Sequence, residues 1–401
     1  MLDALTANPE VWARTVLFIN FDENDGFFDH MPPPAAPSCV SWNADPAQAV
    51  LAGGSTVDTT GEYCEILNGA SPAYLHRPYG MGPRVPLYIV SPWSKGGWVN
   101  SQVSDHTSVL RFIEARFGVM EPNIGAWRRA VAGDLTSCFN FADPEDSEFF
   151  SKLPATVALA NQARALPGTT TPPVPGALAL PVQAAGVRPA RALPYDLQVA
   201  CALTPGAGPN ATSIALSFQN TGGAAAVFHV YDRTRLSEIP RRYTVEAGKQ
   251  LTGSFAPQAT GAYDLWILGP NGFHRHLAGN ARRAAAAGQP NPDVLAQSAP
   301  RTGELVLTLV NTGPVAATFT VAHNKYQSSA PVTVTVPARS RSDVRVGVAA
   351  AAHWYDVSVR VNGQADFLRR FAGHIETGAP SISDPAMDGV AKADQYRVSG
   401  S

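Results

Sequence analysis

The chain has 401 residues with 34 Gly, 34 Pro and only 15% charged residues, so it exceeds one ordinary domain and is turn-rich. A formal net charge of −2 leaves no basic footprint, which argues against nucleic acid or anionic membrane as an electrostatic partner. No window approaches the ~20 apolar residues of a spanning helix, and the four cysteines show no CxxC spacing of the kind that marks a structural zinc site.

The opening Met1-Leu-Asp-Ala-Leu already reads as amphipathic helix. Thr15-Val-Leu-Phe-Ile-Asn-Phe21 is a continuous apolar run, the pattern of a parallel strand covered on both faces. Directly behind it comes Asp22-Glu-Asn-Asp-Gly-Phe-Phe-Asp-His30. Ligands of α/β sheets gather at the carboxyl ends of strands. The adjacent carboxylates of Asp22 and Glu23 repel unless a cation or a donor lies between them, and hard divalent cations take such oxygens. Asn-Asp-Gly is equally good chemistry for an acidic surface turn.

Residues 32–80 are rich in Pro, Ser, Gly and Tyr and read as a loop-forming insertion. Cys39 and Cys64 both lie in it and are a candidate disulfide if the protein is exported. Val85-Pro-Leu-Tyr-Ile-Val90 is a second buried strand. Asp105–Phe117 places Val109, Leu110, Phe112, Ile113 and Phe117 at helical spacing, with Gly118 as its stop. At its start, Ser104-Asp-His-Thr-Ser108 fits two readings. One is ordinary capping by Ser104 or Asp105, with His106 on the surface. The other is a phosphate or metal site that uses Asp105 and His106.

Residues 166–193 lack periodicity and read as a Pro/Ala-rich linker. Beyond it the sequence repeats. Ile214-Ala-Leu-Ser-Phe-Gln-Asn-Thr-Gly222 matches Leu305-Val-Leu-Thr-Leu-Val-Asn-Thr-Gly313, and Asn271-Gly272 matches Asn362-Gly363 at the same offset of 91. Tyr263-Asp264 aligns with Tyr355-Asp356, and Ala278-Gly279 with Ala372-Gly373, after short insertions. Alternating apolar residues predict half-buried strands, and the Asn-Gly pairs predict type I′ hairpins. The organisation read from the sequence is an α/β section over 1–165, the linker, two all-β sandwiches over 194–284 and 291–380, and a tail over 381–401. Trp266, Phe273 and Trp354 in the sandwiches are either core or a lipid-contacting set.

Phe18–His30, Gly82–Gly97 and Ser104–Glu114, together with the repeat and its closing Phe-Ala-Gly-His-Ile-Glu-Thr-Gly segment, resemble the bacterial phosphocholine-specific phospholipase C family. That resemblance implies a partial alkaline-phosphatase-like phosphoesterase domain followed by the paired C-terminal β-domains. It implies hydrolysis of phosphatidylcholine or sphingomyelin to diacylglycerol or ceramide and phosphocholine, with acid phosphatases as relatives acting on monoesters. Asp22 and Glu23 would be ligands of a divalent metal ion, and His30, Asp105 and His106 candidates for proton transfer or phosphate contact. Family members are secreted or periplasmic and touch a membrane surface peripherally.

The family's exported leader, its Glu-Asn ligand pair and its nucleophile have no counterpart in these residues. The expectation is therefore an N-terminally truncated chain with little activity alone, its catalytic domain completed by an upstream chain. A second expectation, from another class, is a non-catalytic accessory protein that binds lipid through its β-units.

Overall fold

A computed structural model describes residues 2–24, 31–42, 49–66, 71–144, 156–168, 185–205, 212–284 and 288–387. The first section begins with short helices α1 (Leu2–Thr6) and α2 (Pro9–Trp12) and strands β1 (Leu17–Asn20), β2 (Ser38–Ser41), β3 (Val50–Ser55) and β4 (Leu87–Val90). Helices α3 (Thr107–Phe117), α4 (Ala126–Val131) and α5 (Val157–Arg164) follow. After β5 (Pro189–Ala190), the first β-unit holds β6 (Leu197–Pro205), β7 (Thr212–Asn220), β8 (Ala226–Asp232), β9 (Arg241–Val245), β10 (Gln250–Phe255), β11 (Ala262–Leu268) and β12 (His274–Asn280), then α6 (Ala281–Ala284). The second holds β13 (Pro292–Ala299), β14 (Glu304–Asn311), β15 (Ala317–His323), β16 (Val332–Val336), β17 (Ser340–Gly347), β18 (Trp354–Val361) and β19 (Gln364–His374); β20 (Ser381–Ile382) closes the described chain.

Each unit is a sandwich, as the alternation predicts. A small sheet, β10-β7-β6 or β13-β14-β17, faces a part of one ten-stranded sheet ordered β16-β15-β18-β19-β12-β11-β8-β9-β3-β2. Between the layers, Ile214, Leu216, Phe218 and Phe228 fill one core, and Leu307, Leu309, Phe319 and Phe371 the other. The repeated Asn-Thr-Gly has a definite task. Asn220 is fully buried and its Nδ2 donates to the carbonyls of Ala224 and Val245 at 2.8 and 2.9 Å, while Gly222 N donates back to its Oδ1. Asn311 does the same with Val315, Val336 and Gly313. The glycine is required because a Cβ at Gly222 would lie 2.3 Å from Pro194 O, and one at Gly313 2.4 Å from Asn291 N.

The units are joined edge to edge. β12 pairs antiparallel with β19, and His276 faces its repeat equivalent Arg370, so a local two-fold passes through that pair. The buried arginines at equivalent positions exchange partners across this seam. Arg275 donates to Tyr355 OH at 3.0 Å and to Ala372 O at 2.9 Å, and Arg369 to Tyr263 OH at 2.8 Å and Ala278 O at 2.9 Å. Arg369 also holds Asp293 at 2.8 Å. Burial pushes the Tyr263 phenol up to about 12, so a neutral hydroxyl accepts from Arg369.

Several expectations need correction. β1 and β4 do form where the apolar runs lie, but they pair only with each other, antiparallel, and their residues are half-buried. The parallel sheet covered on both faces is not seen among the described residues, because the remaining strands of this section, β2 and β3, join the β-units through β9 instead. α3 and its Gly118 stop match, yet Leu110, Ile113 and Phe117 are exposed; of the expected apolar face, Phe112 packs on Phe18 and Phe139. The end of the expected linker is structural. β5 pairs with β20, Val99 N donates to Pro189 O at 2.9 Å, and Leu193 enters a sandwich core. Asn271 and Gly272 both have positive φ, as a type I′ turn needs, whereas in the second pair only Gly363 does. Phe273 and Trp354 are buried and serve the core; of the three aromatics only Trp266 reaches the surface, where Arg233 stacks on it at 4.4 Å.

Removing Arg369 strands Asp293, Tyr263 OH and Ala278 O inside the seam. Arg369→Met is expected to cost about 3–5 kcal/mol of unfolding free energy in denaturant titrations, against less than ~1 kcal/mol for Arg233→Ala at the surface. Equal, small losses would remove the seam as the joint between units.

Candidate functional site

β1 delivers its C-terminal end to the start of α3. Asn20 closes the strand, and its Nδ2 donates to His106 Nδ1 at 3.0 Å, which leaves the neutral imidazole's proton on Nε2. Phe21 meets Tyr88 edge-on at 6.0 Å, and Asp22 and Glu23 follow on the exposed turn. The structure thus brings His106 to the strand end that carries the acidic pair. His30 lies outside the described residues.

Asp105 is engaged elsewhere. Its Oδ1 accepts from Thr107 N at 2.9 Å and Thr107 Oγ1 at 2.6 Å, and its Oδ2 from Arg128 Nη1 at 2.7 Å. Arg128 also reaches Gly80 O at 2.7 Å and lies 3.5 Å from the Glu62 carboxylate. Both acids are nearly sealed from solvent, their side chains 7% and 4% exposed. An arginine between two buried carboxylates fixes the helix start to the insertion, so Asp105 positions α3 and has no free oxygen for proton transfer. Burial raises the Glu62 carboxyl, the Arg128 charge opposing it. Nothing in sequence spacing marks Glu62 or Arg128, since the insertion separates them.

The expected Cys39–Cys64 disulfide is not formed. Cys39 sits buried in β2, while the Cys64 thiol turns to Ile66 O at 3.6 Å, and all four cysteines are free thiols. Asp22 and Glu23 offer hard oxygen donors of the right kind for a divalent cation. Among the described residues, however, no three His, Cys, Asp or Glu side chains converge where they could hold an ion. Asp22 and Glu23 are thus two donors of a set that the described residues do not complete.

Beside β4 lies a cleft of about 660 Å³. Leu87, Ile89 and Leu135 line its apolar wall, and Asn100, Gln102 and Ser137 a polar one. Sequence reading did not find it, because its lining comes from stretches that adjoin only in the fold.

Residues 1–120 match the Phosphoesterase family, and residues 189–280 and 290–374 each match the bacterial phospholipase C C-terminal domain. The chain is similar to bacterial phospholipases C along almost its whole length. It is 49% identical over 392 residues to the non-hemolytic phospholipase C of Pseudomonas aeruginosa, covering 96% of this chain and 54% of that one. The Burkholderia pseudomallei non-hemolytic phospholipase C is 44% identical over 393 residues, with 96% and 53% covered. The hemolytic phospholipase C of Pseudomonas aeruginosa is 39% identical over 424 residues, with 97% and 54% covered. The chain thus spans about half the length of these curated phospholipase C relatives. Both β-units, found as an internal repeat, are family domains in their own right.

An acid whose pKa is raised by folding holds its proton longer when folded than unfolded. Its contribution is fullest below the ordinary carboxylate range and is lost as pH rises through the raised value. Stability curves against pH should therefore decline more steeply over the mildly acidic range in the wild type than in Glu62→Gln. Parallel melting profiles for the two proteins would show that Glu62 does not titrate in this way.

Proposed function

We propose that this chain forms part of a phospholipase C that cleaves the headgroup phosphodiester of phosphatidylcholine or sphingomyelin, releasing phosphocholine and diacylglycerol or ceramide. The observation that carries the reading is the 49% identity across 96% of the chain to a protein named as a phospholipase C. The match of both β-units to the bacterial phospholipase C C-terminal domain favours this diesterase over a phosphomonoesterase of the acid-phosphatase kind. The enzyme is read as secreted or periplasmic, in peripheral contact with the lipid surface that carries its substrate.

In this reading Asp22 and Glu23 supply two ligands for a divalent cation, whose chemistry when bound is to neutralise charge on the phosphate oxygens. His106, its Nδ1 filled by Asn20, keeps an Nε2–H with which to donate to a phosphate oxygen; protonating the departing alkoxide would require the imidazolium, with the Asn20 amide turned to present its oxygen. Asp105 holds α3, and with it His106, in place through Thr107 and Arg128.

The test is choline-phosphate release from phosphatidylcholine vesicles by the complete gene product containing these residues. Asp22→Asn and Glu23→Gln should each lower turnover by about 100-fold or more with an unchanged melting temperature, and His106→Ala by about 10- to 100-fold. Full activity in the Asp22 and Glu23 variants would refute the site. Preference for a simple phosphomonoester would favour the phosphatase, and vesicle binding with no hydrolysis of either substrate the accessory protein.

A further inference from the structure

Several arginines of this fold have a matched anion. Arg128 faces Asp105, Arg129 faces Glu114, Arg369 faces Asp293 and Arg370 faces Asp356, each within 2.6–2.8 Å. Arg191 differs. Its backbone is fixed, the N–H donating to Val99 O at 2.9 Å, and its guanidinium lies over the Trp98 ring at 4.3 Å. Stacking uses the face of the guanidinium and leaves its fork of N–H donors unspent. The Nε is buried without a hydrogen-bond partner, and no carboxylate among the described residues pairs with the group. A partly buried charge left in this way is costly unless something supplies the counter-charge.

The guanidinium lines the 660 Å³ cleft beside β4. Among the described residues the cleft lining includes no Asp or Glu to pair with the guanidinium. Its polar wall is preorganised: Asn100 Nδ2 donates to Ser137 Oγ at 2.8 Å, which donates on to Gln102 Oε1 at 2.6 Å. Leu87, Ile89 and Leu135 add hydrocarbon to the lining, which suits an apolar chain rather than a small hydrated ion.

We propose that this cleft binds an amphiphilic oxyanion, an alkyl chain ending in a phosphate monoester or a carboxylate, with Arg191 as the partner of the anionic end. The inference does not depend on the proposed hydrolysis, since the cleft lining includes neither Asp22 nor Glu23. Both head groups present paired oxygens to the guanidinium fork, and the chain lies along the aliphatic wall. A zwitterionic choline head is disfavoured, because no carboxylate among the described lining residues receives its ammonium.

Calorimetric titration of the 401-residue chain with decyl phosphate, decanoate, inorganic phosphate and decyltrimethylammonium tests this, each kept below its micelle concentration. At least one alkyl oxyanion should bind at one per chain, weakening with added salt and about tenfold or more in Arg191→Gln. Decyl phosphate binding identifies the phosphate monoester and decanoate binding the carboxylate. Decyltrimethylammonium should not bind, and inorganic phosphate should bind at least tenfold more weakly than decyl phosphate. The charge comparison uses only the wild-type chain, so it stands even if the variant melts early. No saturable binding of either alkyl oxyanion, equal binding of the alkyl cation, or undiminished affinity in an Arg191→Gln chain that melts like the wild type would overturn the proposal. Inorganic phosphate binding as tightly as decyl phosphate would overturn the role given to the hydrocarbon wall.

Discussion

Two guanidinium groups buried in the seam between the β-units set the frame for everything else. Arg275 and Arg369 are each about 2% exposed or less, and apart from their own strand's carbonyls and Asp293 their acceptors among the described residues lie across the seam. A buried charge tolerates little displacement, since losing one acceptor leaves it neither hydrated nor paired. The β12–β19 register is therefore held by charge as well as by the backbone ladder. The arrangement is symmetric in its hydrogen bonds and asymmetric in its charge. Arg369 has Asp293, whereas Arg275 lies among the rings of Phe273, Tyr355 and Phe371.

From that seam a single sheet runs out to the first section. β9 accepts β3 as a parallel neighbour, and Trp127 on α4 is fully buried and donates from Nε1 to Thr244 Oγ1 at 2.9 Å. The loops that shape the cleft and the start of α3 thus rest on the β-units. The Asp105–Arg128–Glu62 group carries the same logic one step further, spending a carboxylate that looked chemical on holding a helix. What remains near the strand end, Asp22, Glu23 and His106, is exposed and free of such duties.

The distribution of charge explains why the cleft stands apart. Arg191 is one of several arginines that meet no carboxylate among the described residues, and it is the one that lines the cleft. Arg191 owes its position to β5, which is held by the tail strand β20 on one side and by Val99 on the other.

Local pattern by itself determined the repeat, the alternation that builds both sandwiches, α3 with its glycine stop, the two apolar strands and the acidic pair behind the first. These are properties of period and of single side chains, and they survive whatever packs around them. The sequence also contained the Asn-Thr-Gly pairs, whose buried amides and close-approach glycines repeat faithfully because each unit satisfies the same backbone groups. Only the tertiary structure decided which strands became neighbours, that β1 and β4 run antiparallel, and that Cys39 and Cys64 stay apart. It alone turned Asp105 from a chemical candidate into an anchor and gathered the cleft around Arg191. Those outcomes depend on contacts between residues far apart in the chain, where burial and charge pairing, rather than spacing, set what each side chain does.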